Sequence, residues 1–183
     1  MDKSGIRKIC LYTRRIFPPF SLQSSIFFLF QVRLRPSEQE DFFMIRVSAG
    51  ILQNEDGRIL ICQRPEGKKL AFHWEFPGGK QEKGEDDAQC LIRELHEELD
   101  LSLDPSKIEP VCTISRPQDN LTVVFLLCRP DHYQPAALEH NDLKWIGPHE
   151  LADYSFCSSD QMMLDQTDHA LLFDLYDRKQ KNS

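Results

Sequence analysis

From residue 44 onward the apolar positions fall into short runs separated by polar turns, and the period of those runs changes along the chain. Residues 45–53 are rich in Val, Ile and Leu and predict a strand. Asn54-Glu55-Asp56-Gly57 follows as a turn, with Asp-Gly the strongest hairpin signal in the chain, and residues 58–63 predict the returning strand. Trp74-Glu75-Phe76 alternates like a short strand that Pro77-Gly78-Gly79 stops. Between residues 86 and 99 the spacing becomes helical, with Ala88, Leu91, Ile92, Leu95 and Leu99 on one stripe. Residues 108–115 and 121–128 predict two strands around a turn at 117–120, and residues 142–146 another strand. Pro148 suits the first turn of a short helix, and residues 161–177 predict a final one. The mix predicts a sheet with helices packed on it.

A chain of 183 residues has room for one domain with a real core and an extension. The formal net charge of −7 argues against a nucleic-acid polymer as a stable partner. Small nucleotides stay compatible, because a bound metal supplies positive charge. The charge is uneven. Lys3, Arg7, Lys8, Arg14, Arg15, Arg33 and Arg35 face a single acid, Asp2, within residues 1–35, whereas residues 44–183 are strongly acidic. We therefore expect an N-terminal extension over 1–43, disordered or reflecting an over-called start, and a domain over 44–183. The Arg-rich extension also suits an organellar targeting peptide; without that role the expectation is a cytoplasmic protein. Its apolar stretch, residues 26–30, is too short to span a bilayer, so no membrane partner is expected. The six cysteines include no C-x-x-C pair and several sit in apolar runs, which fits free buried thiols in a reducing compartment. The sequence sets no oligomeric state.

The stretch from Gly78 to Leu101 carries the chemistry. Glu94, Glu97 and Glu98 lie at i, i+3 and i+4, roughly 120° round the helix from its apolar stripe. Three like charges on one face oppose the helix, and a hard divalent cation such as Mg2+ or Mn2+ relieves them. The same spacing also describes a plain solvated acidic face. Gly78-Gly79 lets the backbone turn tightly and present a carbonyl toward the same point, and Glu85 reaches back toward Arg93 as an ion pair that fixes the loop.

Gly79, Glu85 and the run Arg93-Glu94-Leu95-His96-Glu97-Glu98-Leu99-Asp100-Leu101 resemble the Nudix box, G-x5-E-x7-R-E-U-x-E-E-x-G-U with U apolar. One specified position departs: Asp100 stands for the glycine that caps the helix in a left-handed conformation, which Asp tolerates better than most residues. The resemblance implies an α/β fold, the Nudix α/β/α sandwich around a mixed β-sheet. It also implies a metal site formed by the Gly78 carbonyl, Glu94, Glu97 and Glu98, with Arg93 and Glu94 in the catalytic group and Gly79 and Glu85 as structural members. The run Trp74-Glu75-Phe76-Pro77-Gly78-Gly79-Lys80 is similar to the MutT-like branch, in which Phe76 belongs to the substrate-binding segment and Arg64, thirteen residues before Pro77, lies near the phosphates. Glu139 precedes Trp145 by six residues, as does a catalytic glutamate in those relatives, and is expected as a metal ligand or general base.

Asp160 falls where the branch reads the base. An 8-oxoguanine-specific member carries Asn at that position and relatives acting on cytidine-type nucleotides carry Asp. A competing role for Asp160 is helix capping, shared with Ser158 and Ser159. Phe72, Trp74 and Phe156 are candidates for base stacking or for the core. The resemblance thus implies a Mg2+-dependent diphosphatase that splits a nucleoside triphosphate into a monophosphate and pyrophosphate, with 8-oxo-dGTP the favoured substrate. CTP or 5-substituted dCTP is the alternative, and a non-catalytic nucleotide-binding module is a third reading.

Overall fold

The structure, a computed structural model, describes residues 44–130 and 134–174. The expected extension over 1–43 and the end of the predicted final helix lie outside them. Strand β1 (Ile45–Leu52) runs into the predicted turn, where Gly57 N–H donates to the Asn54 carbonyl and Asn54 N–H to the Arg58 carbonyl, both at 2.9 Å. One bridge, Gln53 to Ile59, joins β1 to β2 (Ile59–Gln63). Beyond it the two strands part into different sheets, so the turn signal was right and an extended hairpin does not form.

β1 lies inside a four-stranded mixed sheet of order β4-β1-β6-β5. It pairs in parallel with β6 (Leu121–Cys128), and β6 pairs antiparallel with β5 (Ile108–Arg116). The near-continuous apolar run of β6 reflects burial on both faces. Phe125 packs into one core with Ile51 and Phe76, and its neighbours Val124 and Leu126 pack into a second core with Leu91, Leu95 and Leu99. The second core is the stripe of α1 (Asp87–Leu99). The first takes in Met163 and Leu164 of α2 (Ser158–Gln166) and Leu172 of α3 (His169–Leu172). Helices therefore cover both faces, giving the α/β/α layers. Truncating Leu95, fully buried, removes on the order of 2–5 kcal/mol. A smaller sheet of order β3-β2-β7 adds β3 (Trp74–Glu75) and β7 (Asp142–Ile146).

β4 (Gly78–Lys80) corrects the expectation that the strand stops at Pro77. It pairs antiparallel with β1, Ser48 opposite Gly79, although glycine has little intrinsic strand preference. Gly78 has φ 142, and a Cβ there would stand 2.1 Å from the Ser48 carbonyl oxygen, so the close strand approach requires glycine. The final helix also differs from expectation. It begins at Ser158 and breaks at Thr167, where the extended backbone and the Asp168 side chain, which caps Ala170 N–H, restart the chain as α3.

α1 is fixed at both ends. Asp86 and Gln89 form a capping box. Asp100 takes the left-handed conformation, φ 55 and ψ 34, in place of the expected glycine, and Leu101 N–H reaches back to the Leu95 carbonyl at 3.2 Å.

Candidate active site

Arg93 ties the loop after β4 to α1. Its Nε donates to Glu85 Oε1 at 2.7 Å and its Nη2 to Glu85 Oε2 at 3.1 Å. Nη2 also donates to the Lys80 carbonyl, and Glu82 N–H donates to Glu85. The Arg93 guanidinium holds the Glu85 carboxyl down at about 2. On its other edge Nη1 donates to Glu94 Oε1 at 3.0 Å and Glu97 Oε2 at 3.2 Å. Arg93 thus supplies the positive charge between these two carboxylates.

Glu98 turns inward. Its Oε2 accepts the Gly78 N–H at 3.0 Å. Burial pushes its carboxyl up to about 7; the His140 ring and the Gly78 N–H pull the other way, and the charges of Glu94 and Glu75 add to the rise. Gly79 leaves the space that the Glu94 carboxylate occupies.

Two cavities meet at β4. The first, about 310 Å³, is lined by Glu94, Glu98 and Glu139 together with Arg64, Lys68 and His140. Glu139 arrives there because the preceding segment docks on the end of α1: Ala136 N–H donates to the Leu99 carbonyl and Leu138 N–H to the Glu98 carbonyl. Its carboxylate lies 3.5 Å from Lys68 Nζ. Glu97 is 53% exposed and lies outside this lining. The second cavity, about 300 Å³, has an apolar wall that includes Val47, Ala49 and Val123, with Arg116 and Asp160 as polar members. Arg64, Glu75, Gly78 and Gly79 line both.

Asp160 is buried, and its Oδ1 accepts the Phe76 N–H at 2.9 Å across the fold. Burial pushes its carboxyl up to about 7, with the Glu75 charge adding and the Phe76 hydrogen bond opposing. It does not cap α2, whose N-cap is Cys157 without a side-chain bond, so the capping alternative is set aside. The Phe76 ring stacks on Phe156 within the core at 6.0 Å and reaches the edge of the second cavity. Trp74 and Phe156 are likewise buried, whereas Phe72 is 52% exposed and lines neither cavity. Arg64 is not free: it pairs with Glu75 and donates to the Lys69 carbonyl at 2.7 Å.

Glu75, His140 and Arg116 were not singled out from the sequence. Glu75 and His140 adjoin residues that were, Trp74-Glu75-Phe76 and Glu139-His140, and that adjacency was the only signal. The His140 side chain is 3% exposed and its Nε2 lies 3.7 Å from Glu75 Oε1. The Cys157 thiol, beside them, is pushed up to about 12 by burial and stays neutral. The five cysteines among the described residues are free.

The donors suit a hard divalent cation. They are carboxylate oxygens on successive turns of α1, and Glu98 is held where burial opposes its charge, a cost a cation relieves. Among the described residues no three acidic, His or Cys side chains are already close enough together to hold an ion. No helix among them is long and apolar enough to cross a membrane.

The NUDIX domain model matches residues 44–168. The 8-oxo-dGTP diphosphatase of Haemophilus influenzae is 34% identical over 108 residues, covering 59% of this chain and 79% of that protein. The CTP pyrophosphohydrolase of Escherichia coli is 36% identical over 124 residues, covering 67% and 90%. Among solved structures, one from a study of MutT of Aliivibrio salmonicida and Vibrio cholerae aligns with a TM-score of 0.58 at 29% identity, covering 73% of this chain and 98% of that one. The solution structure of the Escherichia coli ORF135 protein aligns with a TM-score of 0.55 at 34% identity, covering 67% and 86%.

Proposed function

The chain belongs to the NUDIX domain family, and on that premise we propose that it is a Mg2+-dependent diphosphatase that converts a nucleoside triphosphate and water into a nucleoside monophosphate and pyrophosphate. Its substrates are oxidised nucleotides such as 8-oxo-dGTP, removed from the cytoplasmic pool before a polymerase uses them. One observation carries the reading: a carboxylate-lined cavity and an apolar cavity adjoin and share Arg64, Glu75, Gly78 and Gly79. A nucleotide has the same two halves, a charged phosphate chain and a flat, mostly apolar base with a polar edge.

In this reading Glu94, Glu97, Glu98 and the Gly78 carbonyl hold the metal, with Glu139 as a further ligand or as the base. When bound, the metal neutralises phosphate oxygens and acidifies the attacking water. The residues of the chain do the rest. Glu139, at the cavity rim, accepts the proton of that water. Arg64 and Lys68 offer positive charge to the phosphates. Arg93 keeps Glu94 directed at the cavity while Glu85 and Lys80 keep Arg93 in place. Asp160 accepts an N–H from the base edge, a group that guanine, 8-oxoguanine and cytosine all present.

Asp160 also favours a second reading, hydrolysis of CTP or a 5-substituted dCTP through the cytosine amino group. The two are separated by turnover of 8-oxo-dGTP, dGTP, CTP and 5-hydroxy-dCTP, scoring pyrophosphate against phosphate release with Mg2+, Mn2+ and EDTA. Pyrophosphate release that is fastest on 8-oxo-dGTP and abolished by EDTA is expected. Tight nucleotide binding without turnover would identify a binding module instead.

A further inference from the structure

Glu75 gathers three groups that approach it from different parts of the chain. Its Oε2 pairs with Arg64 Nη1, and the neutral Cys157 thiol lies 3.9 Å from the same oxygen. Its Oε1 stands 3.7 Å from Nε2 of the buried His140, whose Nδ1 has no partner. The register of β3 on β2, Glu75 opposite Cys62, fixes the carboxylate in place. Arg64 is held as firmly. Its backbone N–H donates to the His73 carbonyl at 2.9 Å, and its carbonyl accepts the Phe72 N–H at 3.0 Å, which closes the loop between β2 and β3. Its Nε donates to the Lys69 carbonyl at 2.7 Å. With Nε and Nη1 engaged, Nη2 hydrogen-bonds to nothing among the described residues. A guanidinium is a planar fork, so fixing two of its nitrogens also fixes the direction of the third. Arg64 and Glu75 both belong to the wall that the two cavities share. In a nucleotide, the group between the nucleoside and the rest of the phosphate chain is the α-phosphate. By charge alone, a carboxylate here opposes an anion, and Glu94, Glu98 and Glu139 already line the cavity beside it. The hold on Arg64 is what offsets that repulsion.

We propose that Glu75 is a positioning residue that holds one end of the Arg64 guanidinium so that its Nη2 edge meets the α-phosphate of the nucleotide. This rests on the nucleotide reading above. Charge and position predict opposite results. Neutralising Glu75 removes a repulsive charge and by itself tightens anion binding, whereas releasing Arg64 weakens it.

The test is calorimetric binding, with Mg2+ present, of 8-oxo-dGMP and CMP, each compared with its own nucleoside so that the base contribution cancels. Glu75→Gln keeps the shape and an acceptor oxygen. It should weaken binding of the favoured monophosphate about tenfold and of its nucleoside less than about twofold. In an Arg64→Met background the same substitution should change monophosphate affinity less than about twofold, because Glu75 acts through Arg64. Arg64→Lys keeps the charge that Glu75 pairs with but has no second edge, and should bind the monophosphate as weakly as Arg64→Met. Tighter or unchanged monophosphate binding by Glu75→Gln, an equal loss on the nucleoside, or an additive loss in the double variant would make Glu75 a structural member of the wall and overturn the proposal. Should Glu75→Gln fail to fold, Arg64→Lys decides: parental affinity for the monophosphate overturns it. If pyrophosphate release is absent but the contrast between monophosphate and nucleoside still depends on Glu75, the enzyme reading falls and the positioning role stands. If the unaltered protein binds neither monophosphate more tightly than its nucleoside, the proposal is overturned.

Discussion

Gly79 and Glu94 stand at a distance that only a bare backbone allows: a Cβ on Gly79 would lie 2.3 Å from Glu94 Cδ and 2.3 Å from its Oε1. The obstacle is the far end of a flexible side chain, so Gly79→Ala is relieved by Glu94 swinging aside. We expect kcat to fall at least about tenfold with Tm within a few degrees of the parent. Gly78→Ala meets the Ser48 backbone instead, at 2.1 Å, and the strained φ adds to the clash. It should cost on the order of 3 kcal/mol of stability, read by urea unfolding. A fully active Gly79→Ala protein would remove Glu94 from the catalytic group.

Glu97→Gln and Glu98→Gln each test the metal assignment. Loss of either charge should lower turnover at least about a hundredfold while circular dichroism stays that of the parent. Glu98→Gln keeps an oxygen to accept the Gly78 N–H, so its defect is one of charge. Near-normal turnover in either variant, or turnover in excess EDTA, would contradict the metal reading.

Asp160 gives stability a pH dependence. Its folded carboxyl titrates at about 7, above the roughly 3.9 of an unfolded chain. The folded state therefore binds the proton more tightly, and stability falls as pH rises from about 4 to 7 and stays lower above that. Asp160→Asn removes the charge and keeps an acceptor for the Phe76 N–H. The Tm of the variant relative to the parent should climb between pH 5 and pH 8. A difference that does not vary with pH would show that Asp160 does not titrate in this range.

Glu85 acts in the opposite sense. Its folded carboxyl sits at about 2, below its ordinary value of 4.5, so the stability it contributes is present above pH 4.5 and is lost as pH falls toward 2. Glu85→Gln should lower Tm at pH 7, with the gap to the parent closing between pH 4.5 and 2. It should also lower kcat by loosening Arg93. A pH-independent gap would assign the effect to packing.

Elements whose residues state their own environment were legible in the sequence. β6 was read to the residue because both of its faces are buried, and α1 to within one residue because Leu91, Leu95 and Leu99 keep one stripe. β4 was not, since Gly78 and Gly79 become a strand through pairing with Ser48 and Ala49, a partner no local pattern reveals. The parting of β1 and β2 was hidden for the same reason: the turn at Asp56-Gly57 sets the reversal and distant strands decide the pairing. In the site, the helix glutamates and the Glu85–Arg93 pair followed from spacing. Glu75 and His140 meet from β3 and from the loop before β7, and no periodicity links them. The break at Thr167 was masked by helix-compatible residues on both sides of it.

A chain beginning at Met44 should fold and turn over substrate as the full chain does, since the NUDIX match starts at that residue. Equal kcat/KM and Tm for the two forms are expected. A shorter form that aggregates or melts well below the full chain would make residues 1–43 part of the domain.

The two cavities draw their distinctive residues from different parts of the chain, α1 and the 139–140 loop for one, β5 and α2 for the other, and overlap at Arg64 and along β3 and β4. In the proposed reading, a replacement at Asp160 changes the base that is accepted, while the reaction stays with the glutamates of α1. Such a scaffold is free to exchange one nucleobase diet for another by a few inherited changes while its reaction stays constant, so that descendants diverge first in what they eat and last in how they cut.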